Sequence, residues 1–182
     1  MKGLTGVLVV LSVLCSSCLG LRRIAGSASW RSDQPEVQEL ELLAQEGVRS
    51  VICLRRPSPN QDWYKNEVAA CQKLGMNFRT LSWSATCSDK EQIERLIQAF
   101  EELPGPYLIH CKHGVDRAGL GSAVFRVVVL GHTKIQAGSE LSILYGHLPI
   151  FETRAMDRAW RKFKWRPPVE AKEQDGQVAV KL

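Results

Sequence analysis

Apolar and polar residues alternate along this chain in two rhythms that take turns. Val37, Leu40 and Leu43, with Leu42 beside them, recur at the spacing of one helical face. Asp33-Gln34-Pro35 supplies a capped first turn ahead of them, and Gly47 marks the stop. Arg49-Ser50-Val51-Ile52-Cys53-Leu54 then reads as a short buried strand. Gln61 to Leu74 returns to the helical rhythm and stops at Gly75, and Asn77 to Trp83 reads as a second strand. Ser88-Asp89-Lys90-Glu91 is a capping box that opens a helix carrying Ile93, Leu96, Ile97 and Phe100. After Pro104-Gly105-Pro106 breaks the chain, Tyr107 to His110 is a third strand, and a helix runs from about Arg117 to Leu130, closed by Gly131. Thr133-Lys134-Ile135-Gln136 is a further capping box, and Phe151 to Trp165 carries a last amphipathic segment. This alternation predicts an α/β fold: a mostly parallel central sheet flanked by helices on both faces.

The two ends follow neither rhythm. Gly3 to Leu21 carries no charge and follows Lys2, an order that reads as a signal peptide, a lipoprotein leader or a membrane anchor over residues 1–20. Cys15 and Cys18 sit where a lipoprotein would be cleaved and lipidated. A cleaved leader places the domain at the cell envelope, whether periplasmic, secreted or membrane-attached. Arg22 and Arg23 favour retention on the cytoplasmic face if the anchor stays uncleaved. Residues 21–165 form the domain, and 166–182 a polar tail without pattern.

A chain of 182 residues with 45% hydrophobic content holds one ordinary core and needs no structural metal or disulfide framework. Its net charge of +5 suits an anionic substrate but lacks the dense basic stripe of a nucleic-acid binder. Of six cysteines, Cys53 and Cys71 read as small buried hydrophobes, and no paired C-x-x-C spacing suggests zinc. Cys111 is different.

The stretch from Leu108 to Ala118 is a strand, a short loop and a helix start. A loop in that position aims successive backbone N–H groups into one concavity, to which the helix dipole adds positive potential. Gly114 permits the turn, and Val115 continues the cradle. Arg117 offers paired donors for two phosphate oxygens, and Cys111 lies where the same field favours a thiolate. A nucleophile, an anion cradle and a bidentate arginine specify attack on phosphorus through a phosphocysteine, without metal or organic cofactor. Lys112 and His113 sit on the loop's outer side, where they face either solvent or a second acidic group.

His110-Cys111-x5-Arg117 resembles the signature of the protein tyrosine phosphatase superfamily, in its dual-specificity branch. Trp30-Arg31-Ser32-Asp33-Gln34-Pro35, Val51-Ile52-Cys53-Leu54-Arg55 and Leu141 to His147 are similar to segments of its bacterial members. The resemblance implies a dual-specificity phosphatase-like fold over Arg22 to Lys164, with an opening strand from Ile24 to Trp30. It also implies that His110 orients the loop and that the substrate is a phosphorylated protein. The lysine after the cysteine also occurs in phosphoinositide phosphatases of this superfamily, so a lipid headgroup stands beside phosphotyrosine.

Two departures from the family pattern shape the expected chemistry. The upstream loop that carries the family's general acid reads Leu81-Ser82-Trp83-Ser84-Ala85-Thr86, with no acid in it. Asp116 is the better candidate over Asp89, because myotubularins have an aspartate at the corresponding loop position; the plainer alternative pairs it with Arg117 or a lysine. Ala118 stands where the family has a hydroxyl that helps the thiolate leave, which predicts a slow second step. His147 is either a functional or a packed structural histidine. The expected activity is that of a cysteine-dependent phosphatase using Cys111, Arg117 and Asp116. Its rivals are a phospho-ligand-binding module without turnover and, further off, a rhodanese-type sulfurtransferase.

Overall fold

The computed structural model describes residues 20–84, 86, 90–147 and 154–165. Five strands form one sheet: β1 (Arg22–Arg23), β2 (Trp30–Ser32), β3 (Ser50–Cys53), β4 (Asn77–Thr80) and β5 (Tyr107–His110). Their spatial order is β1-β2-β5-β3-β4, with every neighbouring pair parallel except β1 with β2. Among the described residues six helices accompany it: α1 (Val37–Gln45), α2 (Asp62–Lys73), α3 (Lys90–Glu102), α4 (Asp116–Val128), α5 (Lys134–Ala137) and α6 (Arg154–Lys162). Two short 3-10 turns, Gly138–Leu141 and Ile143–Tyr145, lie between α5 and α6. Among these residues no helix is long and apolar enough to cross a membrane. The leader of residues 1–20 and the tail of 166–182 lie almost wholly outside the described residues.

The central strands β3 and β5 are buried at all four positions, as their continuous apolar composition predicts. Alternate residues feed opposite cores. Ile52 and Ile109 pack with Leu54, Leu96, Phe100, Leu120, Val124 and Met156, on the side of α3, α4 and α6. Val51 and Leu108 pack with Leu40, Leu43, Ala70 and Cys71, on the side of α1 and α2. Helix α4 lies close to the sheet because Gly121 has no side chain: a Cβ there would stand 3.0 Å from both Ile109 and Leu54 side-chain carbons. Register aligns Ser32, His110 and Cys53 across the three strands, so the loop after β5 emerges level with the ends of both neighbours.

Several boundaries differ from the expected ones. Ile24 to Trp30 is not one strand. Ser27 and its hydroxyl bond back to the Ile24 carbonyl, and Ile24 N–H bonds Ser29 O at 2.9 Å, folding a turn between β1 and β2. Helix α1 is capped by Glu36 in a reciprocal arrangement with Glu39, so Asp33 to Pro35 precede it and stay available to the loop. Strand β4 ends at Thr80, short of Trp83, and α4 begins at Asp116. The capping box at Thr133 and Gln136 is present, although it opens only one helical turn. The one expected at Ser88 lies outside the described residues.

Candidate active site

The seven residues from Cys111 to Arg117 connect the end of β5 to the first turn of α4. Cys111 is a free, buried thiol whose N–H bonds Ser32 O at 3.3 Å, extending the β2–β5 ladder by one residue. Lys112 and His113 are exposed, as expected, and His113 forms an isolated bridge with Asp33. Gly114 turns the chain back with φ of 68°, and a Cβ there would stand 2.5 Å from Asp33 N. Conformation and close approach both require glycine. Val115 is half-buried, its carbonyl accepting the Gly119 N–H that begins α4. Ala118 is fully buried in the core, on the turn that follows.

A loop whose N–H groups face inward must turn its carbonyls outward, and those need donors. Arg31 supplies them. Its guanidinium, 1% exposed, donates to Gly114 O at 2.8 Å, to Val115 O at 3.0 Å, and to the Glu140 carboxylate and carbonyl, both at 2.9 Å. Glu140 is equally buried and also accepts from Arg126 at 3.2 Å. Gly119 leaves room for this, since a Cβ there would lie 2.9 Å from Glu140 O. Arg31 was legible only as part of the Trp30-Arg31-Ser32 resemblance; nothing in local spacing assigns it to a loop far along the chain.

Behind Cys111, His110 is fully buried on β5, with its Nε2 2.8 Å from Glu67 Oε1 of α2. Burial opposes a charge on the ring, but Cys53 and Glu67 outweigh it and raise the His110 pKa to about 10. Glu67 in turn accepts from Gln34 at 3.0 Å, and Gln34 accepts from Arg55 at 2.6 Å. His110 therefore lies directly behind the loop's base, held by Glu67. Cys53 is buried as expected but sits in this polar cluster, because the register pairs it with His110. The polar atoms of Cys53, Glu67 and His110 all lie within 4.8 Å of one another, a donor set able to hold a metal ion. Without an ion the same atoms answer one another as a histidine, a carboxylate and a thiol. Cys71, on the Glu67 side, has its thiol pushed up to about 12 by burial, with Glu67 and Cys53 adding to the effect.

Arg117 is half-buried and donates from Nη1 to Leu54 O at 3.3 Å and Trp83 O at 3.4 Å, which fixes the guanidinium beside the loop. Arg55 is a second cation that sequence reasoning did not assign to the site. It stacks on Trp63 with 3.5 Å to the ring centroid, and burial lowers its pKa while Arg117 and Cys111 act on it by charge. Ser82, in the acid-free segment, adopts φ of 53°, and Trp83 is buried with its indole N–H on Gln92 O. Asp89 lies outside the described residues. Among the described residues, the carboxylate of Asp116 forms no ion pair with Arg117 or a lysine. Its partner is His147, with Oδ1 2.7 Å from Nδ1. His147 is buried and its Nε2 lies 3.1 Å from Asp157 of α6, so it belongs to the loop's surroundings rather than to remote packing.

Comparison with known proteins matches this architecture. Residues 24–172 match the family described as Swiss Army Knife protein, DSP-PTPase phosphatase domain. The chain is 30% identical over 112 residues to the dual specificity protein phosphatase TpbA of Pseudomonas aeruginosa. That match takes in 62% of this chain but 49% of TpbA, about half its length. The crystal structure of P. aeruginosa TpbA superposes with a TM-score of 0.60 at 23% identity, covering 81% of this chain and 92% of that one. A TpbA variant crystallised in complex with pTyr gives 0.59 at 22% identity, covering 88% and 97%. Tk-PTP in its active form gives 0.57 at 18% identity, covering 79% and 98%.

Proposed function

Because the chain belongs to this family of dual-specificity-type phosphatase domains, we propose that it hydrolyses phosphotyrosine or a related phosphomonoester through a phosphocysteine intermediate. The observation that carries the reading is the pinned loop. Cys111 stands at its base, Arg117 at its far end, and the outward carbonyls of Gly114 and Val115 are taken by Arg31. That arrangement leaves loop amides and the start of α4 to face an anion. The sulfur of Cys111 forms a bond to phosphorus as the ester oxygen leaves with a proton from Asp116. Water then adds to phosphorus, the P–S bond breaks, and the water's proton returns to Asp116, so thiolate and acid are both restored. Arg117 and the amides hold the transferring oxygens throughout.

The pTyr complex of a TpbA variant supports a phosphotyrosyl group as substrate. Exposed Lys112 and His113, with Arg55 nearby, add cations that also suit a second phosphate, as on a phosphoinositide headgroup. The uncharged run of residues 3–21 is the reason for placing this activity at the cell envelope. Sulfur transfer falls away with the family assignment. The test is the reduced full chain with an aryl phosphate beside Cys111→Ser. Phosphate release that depends on Cys111, with a pre-steady-state burst reflecting Ala118, is the expected result. Retained binding of a phosphotyrosine peptide without turnover would replace this reading with the binding module.

A further inference from the structure

The acid-free upstream segment leaves Asp116 to protonate the leaving oxygen, yet an isolated aspartate is almost wholly ionised at neutral pH. Something must keep a proton within its reach. Asp116 is the first residue of α4, and its carboxylate is about one-third exposed. His147 behind it is 1% exposed, with Nδ1 on Asp116 and Nε2 on Asp157. Both ring nitrogens therefore face carboxylates. Neutral imidazole has one N–H and satisfies one of them; imidazolium satisfies both.

Resting on the phosphatase reading above, we propose that His147 is the positioning residue that stores the proton for Asp116, with Asp157 holding the far edge of the ring. In the first step the Nδ1 proton passes to the Asp116 carboxylate, which hands that same proton on to the ester oxygen as the P–O bond breaks. His147 becomes neutral and keeps its Nε2–H on Asp157. In the second step water's proton goes to Asp116, and the Nδ1 proton is restored. The 2.7 Å contact to Asp116, shorter than the 3.1 Å contact to Asp157, favours exchange on the loop side.

Among the described residues, the charged groups acting on His147 are Asp116 from α4 and Asp157 from α6. The Asp116 contact raises its pKa most, burial opposes, and Asp157 adds to the rise. A raised value keeps the store loaded to higher pH than a free imidazole would, and the store empties as pH climbs through that value.

The experiment compares phenyl phosphate, whose leaving group needs an acid, with 4-nitrophenyl phosphate, which needs one far less. The full chain is assayed across pH. His147→Asn is expected to lose about 10²-fold in kcat on phenyl phosphate and about tenfold less than that on the nitrophenyl ester. Asp157→Asn, a partly exposed change that spares the core, moves the basic limb on phenyl phosphate to lower pH. Equal losses on both esters with an unmoved basic limb in Asp157→Asn would make His147 a packing residue and overturn the proposal. If the unaltered protein hydrolyses neither ester, the phosphatase reading fails first and takes this one with it.

Discussion

Two contacts between a basic side chain and a carboxylate adjoin the same loop, an inner one sealed from solvent and an outer one that reaches it. In the inner one Arg31 and Glu140 meet at 2.9 Å with both side chains 1% exposed. In the outer one His147 and Asp116 meet at 2.7 Å, the histidine buried and the carboxylate partly in solvent. A guanidinium stays charged throughout the accessible pH range, and its fork satisfies three carbonyl groups as well as the acid. An imidazole can gain or lose its proton. The inner contact therefore fixes the loop's shape, and the outer one can move charge while that shape holds. A buried ring that can titrate, set against a carboxylate that reaches solvent, is what separates the outer contact from the inner latch.

Removing the latch should have the largest effect. Arg31→Met leaves the Gly114 carbonyl without its donor, Val115 O with the Gly119 N–H alone and Glu140 with Arg126 alone, and we expect a loss of about 3–5 kcal/mol in denaturant unfolding. Arg31→Lys should recover little of it, since an ammonium cannot reach all four acceptors at once. A loss below about 1 kcal/mol would erase the distinction between the two sides. Next comes the outer contact: Asp116→Asn should lower kcat on a poor leaving group by about 10²-fold. Its unfolding midpoint should change little. A large stability loss with unchanged kinetics would show the outer contact to be a second latch.

Gly114→Ala tests the shape that the latch maintains. The positive φ and the 2.5 Å approach to Asp33 N both oppose a side chain, and we expect about 2 kcal/mol of destabilisation by thermal melting. Phosphate-analogue affinity should fall with it. The last effect is in pH dependence. His110 has its pKa raised to about 10 in the fold, so its contribution to stability is complete below the ordinary histidine value near 6.5. That contribution declines as pH rises from there towards 10, because the unfolded ring sheds its proton first. Glu67→Gln should flatten the decline, whereas the Arg31 latch should show no such slope. A melting curve series that is flat between those values in the unaltered protein would remove the charge on His110.

Most of the fold could be read from the chain because its signals are local. Periodicity located α2, α3 and β5 closely, and the Thr133–Gln136 capping box was found where expected. The opening strand was misplaced because serine hydroxyls and a turn override the apolar residues between Ile24 and Trp30. At the site, Cys111, Gly114 and Arg117 share one loop and were visible together. Arg55, Glu67 and Glu140 were not: Arg55 stands in the Val51–Arg55 resemblance without an assigned role, and Glu67 and Glu140 come from distant elements that carry no local signature. His147 was noticed without a role: its two carboxylate partners are 31 and 10 residues away.

The chain alone determined the alternation that builds a parallel sheet, the loop that joins a strand end to a helix start, and the residue types it presents to an anion. These follow from spacing within a dozen residues, where backbone geometry leaves few choices. Only the tertiary structure decided which side chains stand behind that loop. Strand register put Cys53 beside His110, α2 carried Glu67 to it, and the turns after α5 brought Glu140 to Arg31 and His147 to Asp116. Contacts of that kind depend on how distant elements pack to bury their apolar faces, and no local pattern encodes the distances between them.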